Sequence, residues 1–470
     1  MMTQTKIAAA VAAALGLAGA SAMATTPTPA QASNPAHSIF MGGSSAAAAG
    51  VVTFLESTIC GGSWSLFTTP TSSVGLGDFR AVSCTAASGQ PFSGTTLTVW
   101  YRPEGGSVIG VLPVINNISI KQLDMQNAAC IQTGTNGTTA TYTCTVGGSA
   151  AANGTNDTWG PGVLSHNLDM GVSDLEPGVF GNPGIGGTNA WAGGGNHDPA
   201  GGTVYATAFT GPDQGVDALQ AMTHSIIFQQ TFGFVVSSNL AITDLPREQI
   251  AAIYDGLVTD WSKVTSGGNT AVGSGTIVVC NRETGSGTRA SADLFLNGTG
   301  CNSVGANNAL VGVAGSVVGG VTEPADNFQT IAELDCVNSH TNAIGYVSVD
   351  NFSKVGVGKS FPSTVSITVS GTAATIANSA VGDYQYVYEA SLNKNNHSSG
   401  DGGTFFTALG PVLQNVNTTS NSAQITAIPG LSSNAASTPL QTGAPSGVKT
   451  SDFTRGASAG GNSCTNYNHG

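Results

Sequence analysis

The segment Arg282-Glu283-Thr284-Gly285-Ser286-Gly287-Thr288 holds the residue types that an oxyanion needs. A Gly-Ser-Gly-Thr turn that follows a strand, Thr276 to Cys280, and opens a helix, Ala290 to Leu296, aims backbone N–H groups and the positive end of the helix dipole at one point. Ser286 and Thr288 add hydroxyl donors. Arg282 adds a planar fork able to bind two oxygens at once. Two of the chain's six arginines, Arg282 and Arg289, flank this turn. No Gly-Lys-Ser/Thr follows it, which argues against nucleotide hydrolysis. A Gly-rich turn beside a solvated arginine would look the same in isolation, so its company along the chain matters.

Three other strand ends offer matching groups. Ser38-Ile39-Phe40-Met41 runs into Gly42-Gly43-Ser44-Ser45, Thr96 to Tyr101 runs into Gly105-Gly106-Ser107, and Leu168 to Val172 runs into Ser173-Asp174. In open α/β sheets, ligands bind beyond the carboxyl ends of strands, where such residues would converge. A carboxylate such as Asp174 repels a fully ionised anion but accepts a hydrogen bond from a protonated oxygen. A site containing it would admit phosphate, which keeps a proton near neutral pH, and reject sulfate, which does not. The alternative for Asp174 is a helix cap or a surface acid.

The elements that must position these groups alternate between strand and helix, which argues for an α/β fold. Ala46 to Leu55 reads as a helix. So does a segment opened by Pro246 with Ile250, Ile253, Tyr254 and Leu257 on one face, and so does Phe328 to His340. Ser225 to Ser237 is apolar enough to be a buried crossing strand, and Ala343 to Ser348 is a further strand. Glu56 to Ser93 reads as loop-rich, Thr133 to Trp159 as low-complexity, Gly181 to Gly202 as surface loop, and the chain from about Ser432 as a loose tail.

Charged residues make up 8% of the 470, and 26 acidic against 13 basic side chains leave a formal net charge of −13, so no basic nucleic-acid surface is expected. Lys6 and the apolar run Ile7 to Ala20, followed by small residues, have the pattern of a cleaved secretory signal. A retained anchor is the alternative, and no later apolar run is long enough to span a bilayer. Eight cysteines without a Cys-x-x-Cys spacing favour disulfides over a metal site. Cys130 and Cys144 are the best local pair, across a hairpin. The seven histidines are scattered, with no catalytic or metal set among them.

Ile253 to Trp261, Val278 to Thr288 and Ala343-Ile344-Gly345-Tyr346-Val347 resemble, in order, signatures of the substrate-binding proteins of phosphate ABC transporters. Gly43-Ser44-Ser45, Tyr101 to Ser107 and Gly171-Val172-Ser173-Asp174 extend the resemblance towards the N-terminus. It implies a two-lobed periplasmic-binding-protein-like (Venus-flytrap) α/β fold with mixed, mostly parallel sheets. The implied division is a signal peptide at 1–24, a linker at 25–36, lobe I at 37–225, lobe II at 226–355, and a return to lobe I with a flexible tail at 356–470.

Carried over by position, Arg282, Ser286, Gly287 and Thr288 would hold the oxyanion, Asp174 would accept its proton, and Ser44, Ser45 and Ser107 would close the cage. The implied protein is periplasmic or secreted, non-enzymatic and without cofactor, metal or membrane insertion. Inorganic phosphate is its ligand and a phosphate ABC permease its docking partner. Two alternatives stay open: a secreted surface or matrix protein using the same fold for adhesion or assembly, and a phosphate-releasing hydrolase.

Overall fold

A computed structural model describes residues 26–70, 78–103, 106–149, 158–180, 219, 221–266, 270–282, 285–297, 317–318, 321–322, 327, 329–398, 400–414, 431–433, 453–454 and 468–469. The expected signal segment, the Gly181 to Gly202 loop, Glu283, Thr284, Phe328, Cys301, Cys464 and most of the tail lie outside the described residues.

Strand β1 (His37–Gly43) buries Ile39 and Met41 on one face, the period-2 pattern of a sheet packed on both sides by unequal layers. The other strands used here are β2 (Trp64–Thr68), β3 (Arg80–Thr85), β4 (Thr96–Arg102), β5 (Ser119–Leu123), β6 (Ala129–Asn136), β7 (Thr139–Thr145), β8 (Val163–Asn167) and β9 (Met170–Ser173). They are followed by β10 (His224–Ser237), β11 (Val278–Val279), β12 (Val317–Val318), β13 (Val321–Thr322), β14 (Ala343–Ser348) and β15 (Val387–Lys394). The longer helices are α1 (Ala48–Phe54), α2 (Arg247–Tyr254), α3 (Gly287–Asn297), α4 (Thr330–Ser339) and α5 (Asp401–Gln414). Among the described residues, no helix is long and apolar enough to cross a membrane.

One 15-stranded mixed sheet runs in the order β12-β13-β11-β14-β10-β15-β9-β1-β4-β3-β2-β7-β6, with two short strands, Thr364–Ser366 and Leu431–Ser433, added on β10. β1 lies parallel to β4 on one side and to β9 on the other, with Met41 opposite both Tyr101 and Met170. Parallel neighbours end at the same sheet edge. The loops after β1, β4 and β9, which carry Ser44, Ser107 and Asp174, therefore leave from one edge. In the other half of the sheet β11 lies parallel to β14 and delivers Arg282.

The strand β10, 14 residues long, joins the halves: its first part pairs with β15 and Phe232 to Val236 pair with β14. From Ser225 onward it is buried throughout, as its apolar composition predicts. The expected predominance of parallel pairing is not found. β10 and β15 run antiparallel to each other and to β14 and β9, and β2–β3, β3–β4 and β6–β7 are antiparallel pairs.

Two further expectations change. Glu56 to Ser93 is not mainly loop, because it contains β2, β3 and a π-helical turn, Leu55–Ile59, fastened by the disulfide Cys60–Cys84. Serines within these strands are buried: Ser65 Oγ donates to Pro27 O at 2.7 Å, and Ser83 Oγ accepts from Thr98 Oγ1 at 2.9 Å. Leu257 does not share the buried face of Ile250, Ile253 and Tyr254. The helix stops at Tyr254, Gly256 turns the chain at φ +69°, and Leu257 is left 78% exposed. The Cys130–Cys144 bridge joins register partners of the β6–β7 hairpin as expected, and a third disulfide, Cys280–Cys336, fastens the end of β11 to α4.

Candidate functional site

The loop after β1 turns on Gly43, whose φ of +130° and close approach to the Val172 backbone leave no room for a side chain. The two serines that follow divide their work. Ser44 is fully buried; its hydroxyl donates to Asp174 Oδ1 and accepts the Ala47 N–H at 3.0 Å as α1 begins. Ser45 Oγ accepts from Arg282 Nη2 at 3.2 Å and lies 3.3 Å from Thr330 Oγ1. The loop after β4 presents Ser107, whose Oγ accepts the Asp174 N–H at 2.9 Å. Its neighbour Val108 donates its N–H to Gly285 O at 3.0 Å, so this loop touches the Gly-Ser-Gly-Thr turn directly.

Arg282 is 1% exposed and held from several sides. Its N–H donates to Tyr346 Oη at 3.1 Å and its Nε to Asn327 O at 2.9 Å. Nη1 reaches Thr288 Oγ1 and Thr330 Oγ1, each at 3.4 Å. Arg289, also buried, donates from Nη1 to Arg282 O at 2.9 Å. Thr288 Oγ1 donates in turn to Asp174 Oδ2 at 3.2 Å, so a single hydroxyl links the guanidinium to the carboxylate. Ser286 Oγ accepts the Arg289 N–H at 3.3 Å, and its own proton can still be donated. A Cβ on Gly287 would come within 2.7 Å of Ser107 Cβ and 2.8 Å of Asp174 Cβ.

All eight residues singled out from the sequence, Ser44, Ser45, Ser107, Asp174, Arg282, Ser286, Gly287 and Thr288, are thus assembled at one place. Asp174 is neither a helix cap nor a surface acid, being 1% exposed. Burial pushes its carboxyl above the usual carboxylate range, while the Ser44 hydroxyl, the Arg282 charge and the Thr288 and Ser107 hydroxyls pull it back.

Sequence reasoning missed the second layer: Asn281, Asn327, Thr330, Glu333 and, as a contributor here, Tyr346. Glu333 is fully buried in α4 and accepts the Tyr346 N–H at 3.2 Å and an Asn327 Nδ2–H at 2.9 Å. Burial lifts it to about 7, opposed first by the Arg282 charge. Tyr346 Oη donates to Asn281 Oδ1 while it accepts from Arg282. The only signal for this layer was the i, i+3 spacing of Thr330 and Glu333, which puts both on one helix face.

Residues 204–404 match the PBP superfamily domain. The matched segment contains Arg282, Ser286, Gly287 and Thr288, whereas Ser44, Ser45, Ser107 and Asp174 precede it. No curated protein matches the chain. Solved structures similar to it include an ABC-type phosphate transport receptor from Vibrio cholerae, 20% identical over 45% of this chain and 72% of that one, with a TM-score of 0.30. PstS from Borrelia burgdorferi is 13% identical over 57% of this chain and 79% of that one, with a TM-score of 0.32. A high-affinity periplasmic phosphate-binding protein, PfluDING, solved with phosphate, is 13% identical over 86% of this chain and 96% of that one, with a TM-score of 0.43.

Proposed function

We propose that the chain is an exported solute-binding protein that holds inorganic phosphate, or a related oxyanion, between two lobes and performs no chemistry on it. The observation that supports this most is the Arg282–Thr288–Asp174 chain of hydrogen bonds at 3.4 and 3.2 Å. It sets a donor fork and a carboxylate acceptor side by side in a buried place. An anion that carries one proton satisfies both: its charged oxygens take the guanidinium, hydroxyl and turn donors, and its O–H is given to Asp174. A fully ionised anion leaves Asp174 facing a like charge.

In this reading the lobes are 37–225 and 226–355, with the chain from 356 returning to the first. β10 and β15 lie at the crossing, and closure by hinge motion brings Ser45 and Asp174 against Arg282. The three disulfides among the described residues fit folding in an oxidising compartment, periplasmic or extracellular. The role is phosphate uptake or scavenging, with delivery to a phosphate ABC permease.

Equilibrium dialysis against labelled phosphate tests the reading. The parent protein should retain phosphate at one site per chain, and Arg282→Ala should lose at least about a hundredfold in affinity, since charge-assisted bonds to a buried anion are among the costly ones to remove. Equal retention by both proteins would remove Arg282 from the site.

A further inference from the structure

We infer that Glu333 is the positioning residue of the anion site, holding Arg282 in place through Tyr346 and Asn327 and coupling anion binding to proton uptake by the protein. The inference rests on the phosphate reading above and adds to it a residue that makes no contact with the ligand.

The geometry is that of a hub. One carboxylate oxygen of Glu333 accepts the Tyr346 N–H and the other accepts the Asn327 side-chain amide. The same two residues hold Arg282 at both ends: the Tyr346 hydroxyl takes its backbone N–H and the Asn327 carbonyl takes its Nε. Thr330, one helical turn before Glu333 on α4, receives Nη1. The backing is rigid. Cys336 on α4 is bonded to Cys280, two residues before Arg282, and a Cβ on Gly345 would come within 2.9 Å of Glu333 Oε1.

The groups acting on this carboxylate come from several elements. Arg282 follows β11, Arg289 lies on α3, Tyr346 lies on β14, and Asn327 offers its amide; the two guanidinium groups favour the ionised acid. Burial opposes them and leaves the carboxyl titrating at about 7. An oxyanion bound to Arg282 cancels much of the guanidinium field that Glu333 feels. The bound state then favours the protonated acid more strongly than the free state does, so binding takes up a proton and affinity falls as pH rises through the neutral range. The protonated acid still accepts the Tyr346 N–H on its carbonyl oxygen, so Arg282 stays placed.

Calorimetric titration of phosphate into the full, ligand-stripped protein, in buffers of different ionisation enthalpy from pH 5.5 to 8.5, reads this proton directly. Phosphate's own ionisation is common to the parent and to Glu333→Gln and cancels in the difference. Glu333→Gln copies the protonated acid, so it should match the parent within about threefold at pH 5.5, bind about tenfold more tightly than the parent at pH 8.5, and lack the parent's extra proton uptake. Glu333→Ala, which removes the hub, should weaken phosphate at least tenfold at every pH. Glu333→Gln tracking the parent at all pH values would overturn the coupling, and Glu333→Ala binding as the parent does would overturn the positioning role. Absence of heat in the parent would instead refute the phosphate reading itself.

Discussion

Replacing Gly287 by Ala asks whether the two sides of the site must come into contact. Gly287 opens α3 and is not held at a left-handed backbone angle, so alanine is acceptable to the helix itself and favours it by about 0.5 to 1 kcal/mol. Its obstacle lies across the site. The new methyl would stand 2.7 Å from Ser107 Cβ and 2.8 Å from Asp174 Cβ, roughly an ångström inside ordinary carbon–carbon contact. Ser107 Oγ, which receives the Asp174 N–H at 2.9 Å, lies in its path as well. Overpacking of this kind costs about 1 to 3 kcal/mol. In the proposed two-lobed reading the protein escapes that cost by opening, so the penalty should fall on closure and not on folding. Phosphate affinity should drop by about 5- to 150-fold, the same energy expressed as a binding constant, while the denaturant midpoint of the free protein changes little. Calorimetry paired with urea unfolding measures both. Parental affinity in Gly287→Ala would refute the claim that Ser107, Asp174 and the Gly-Ser-Gly-Thr turn close on the ligand together.

Other perturbations follow from the same geometry. Asp174→Asn should narrow the preference for phosphate over sulfate by at least about tenfold, because an amide can donate to a fully ionised oxygen where the carboxylate repels it; an unchanged ratio in competition dialysis would show that Asp174 does not read the proton. Replacing Cys280 and Cys336 together by Ala should cost about 2 to 4 kcal/mol of unfolding free energy and weaken phosphate as the backing of Arg282 loosens. Parental urea midpoint and affinity would count against that backing. Glu333, raised from 4.5 to about 7, binds its proton more tightly when folded, so its contribution to stability is present at low pH and is lost as pH rises towards 7. The parent should therefore lose about 2 to 3 kcal/mol relative to Glu333→Gln between pH 5 and pH 8 in urea unfolding; parallel pH profiles would contradict the assignment.

The assembly of the candidate site's residues was readable because its physics is local. Gly-Ser turns after apolar runs mark strand ends, and parallel strands put such ends on one edge; Ser44, Ser107, Asp174 and Arg282 needed little more. The backing layer could not be read that way. A glutamate within Thr-Ile-Ala-Glu-Leu-Asp has the composition of a solvated helix face, and only the approach of Tyr346 and Asn327 makes Glu333 a buried hub. The Ser/Thr-rich edge strands β2 and β3 were hidden for the opposite reason. Their hydroxyls, as in Ser65 and Ser83, are buried and hydrogen-bonded, and composition alone treats such residues as loop. Sheet polarity also lay beyond local patterns. An apolar run says that a strand is buried, as for β10, but not that β10 and β15 run against their neighbours.

In this proposal the ends of β1, β4, β9 and β11 form one oxyanion site that reads a proton. Calorimetric titration of the ligand-stripped parent protein with phosphate and, separately, with sulfate at neutral pH tests it most directly. Phosphate should give saturable heat at one site per chain, and sulfate none at the same concentrations. No phosphate heat up to millimolar concentration, or equal binding of the two anions, would contradict it.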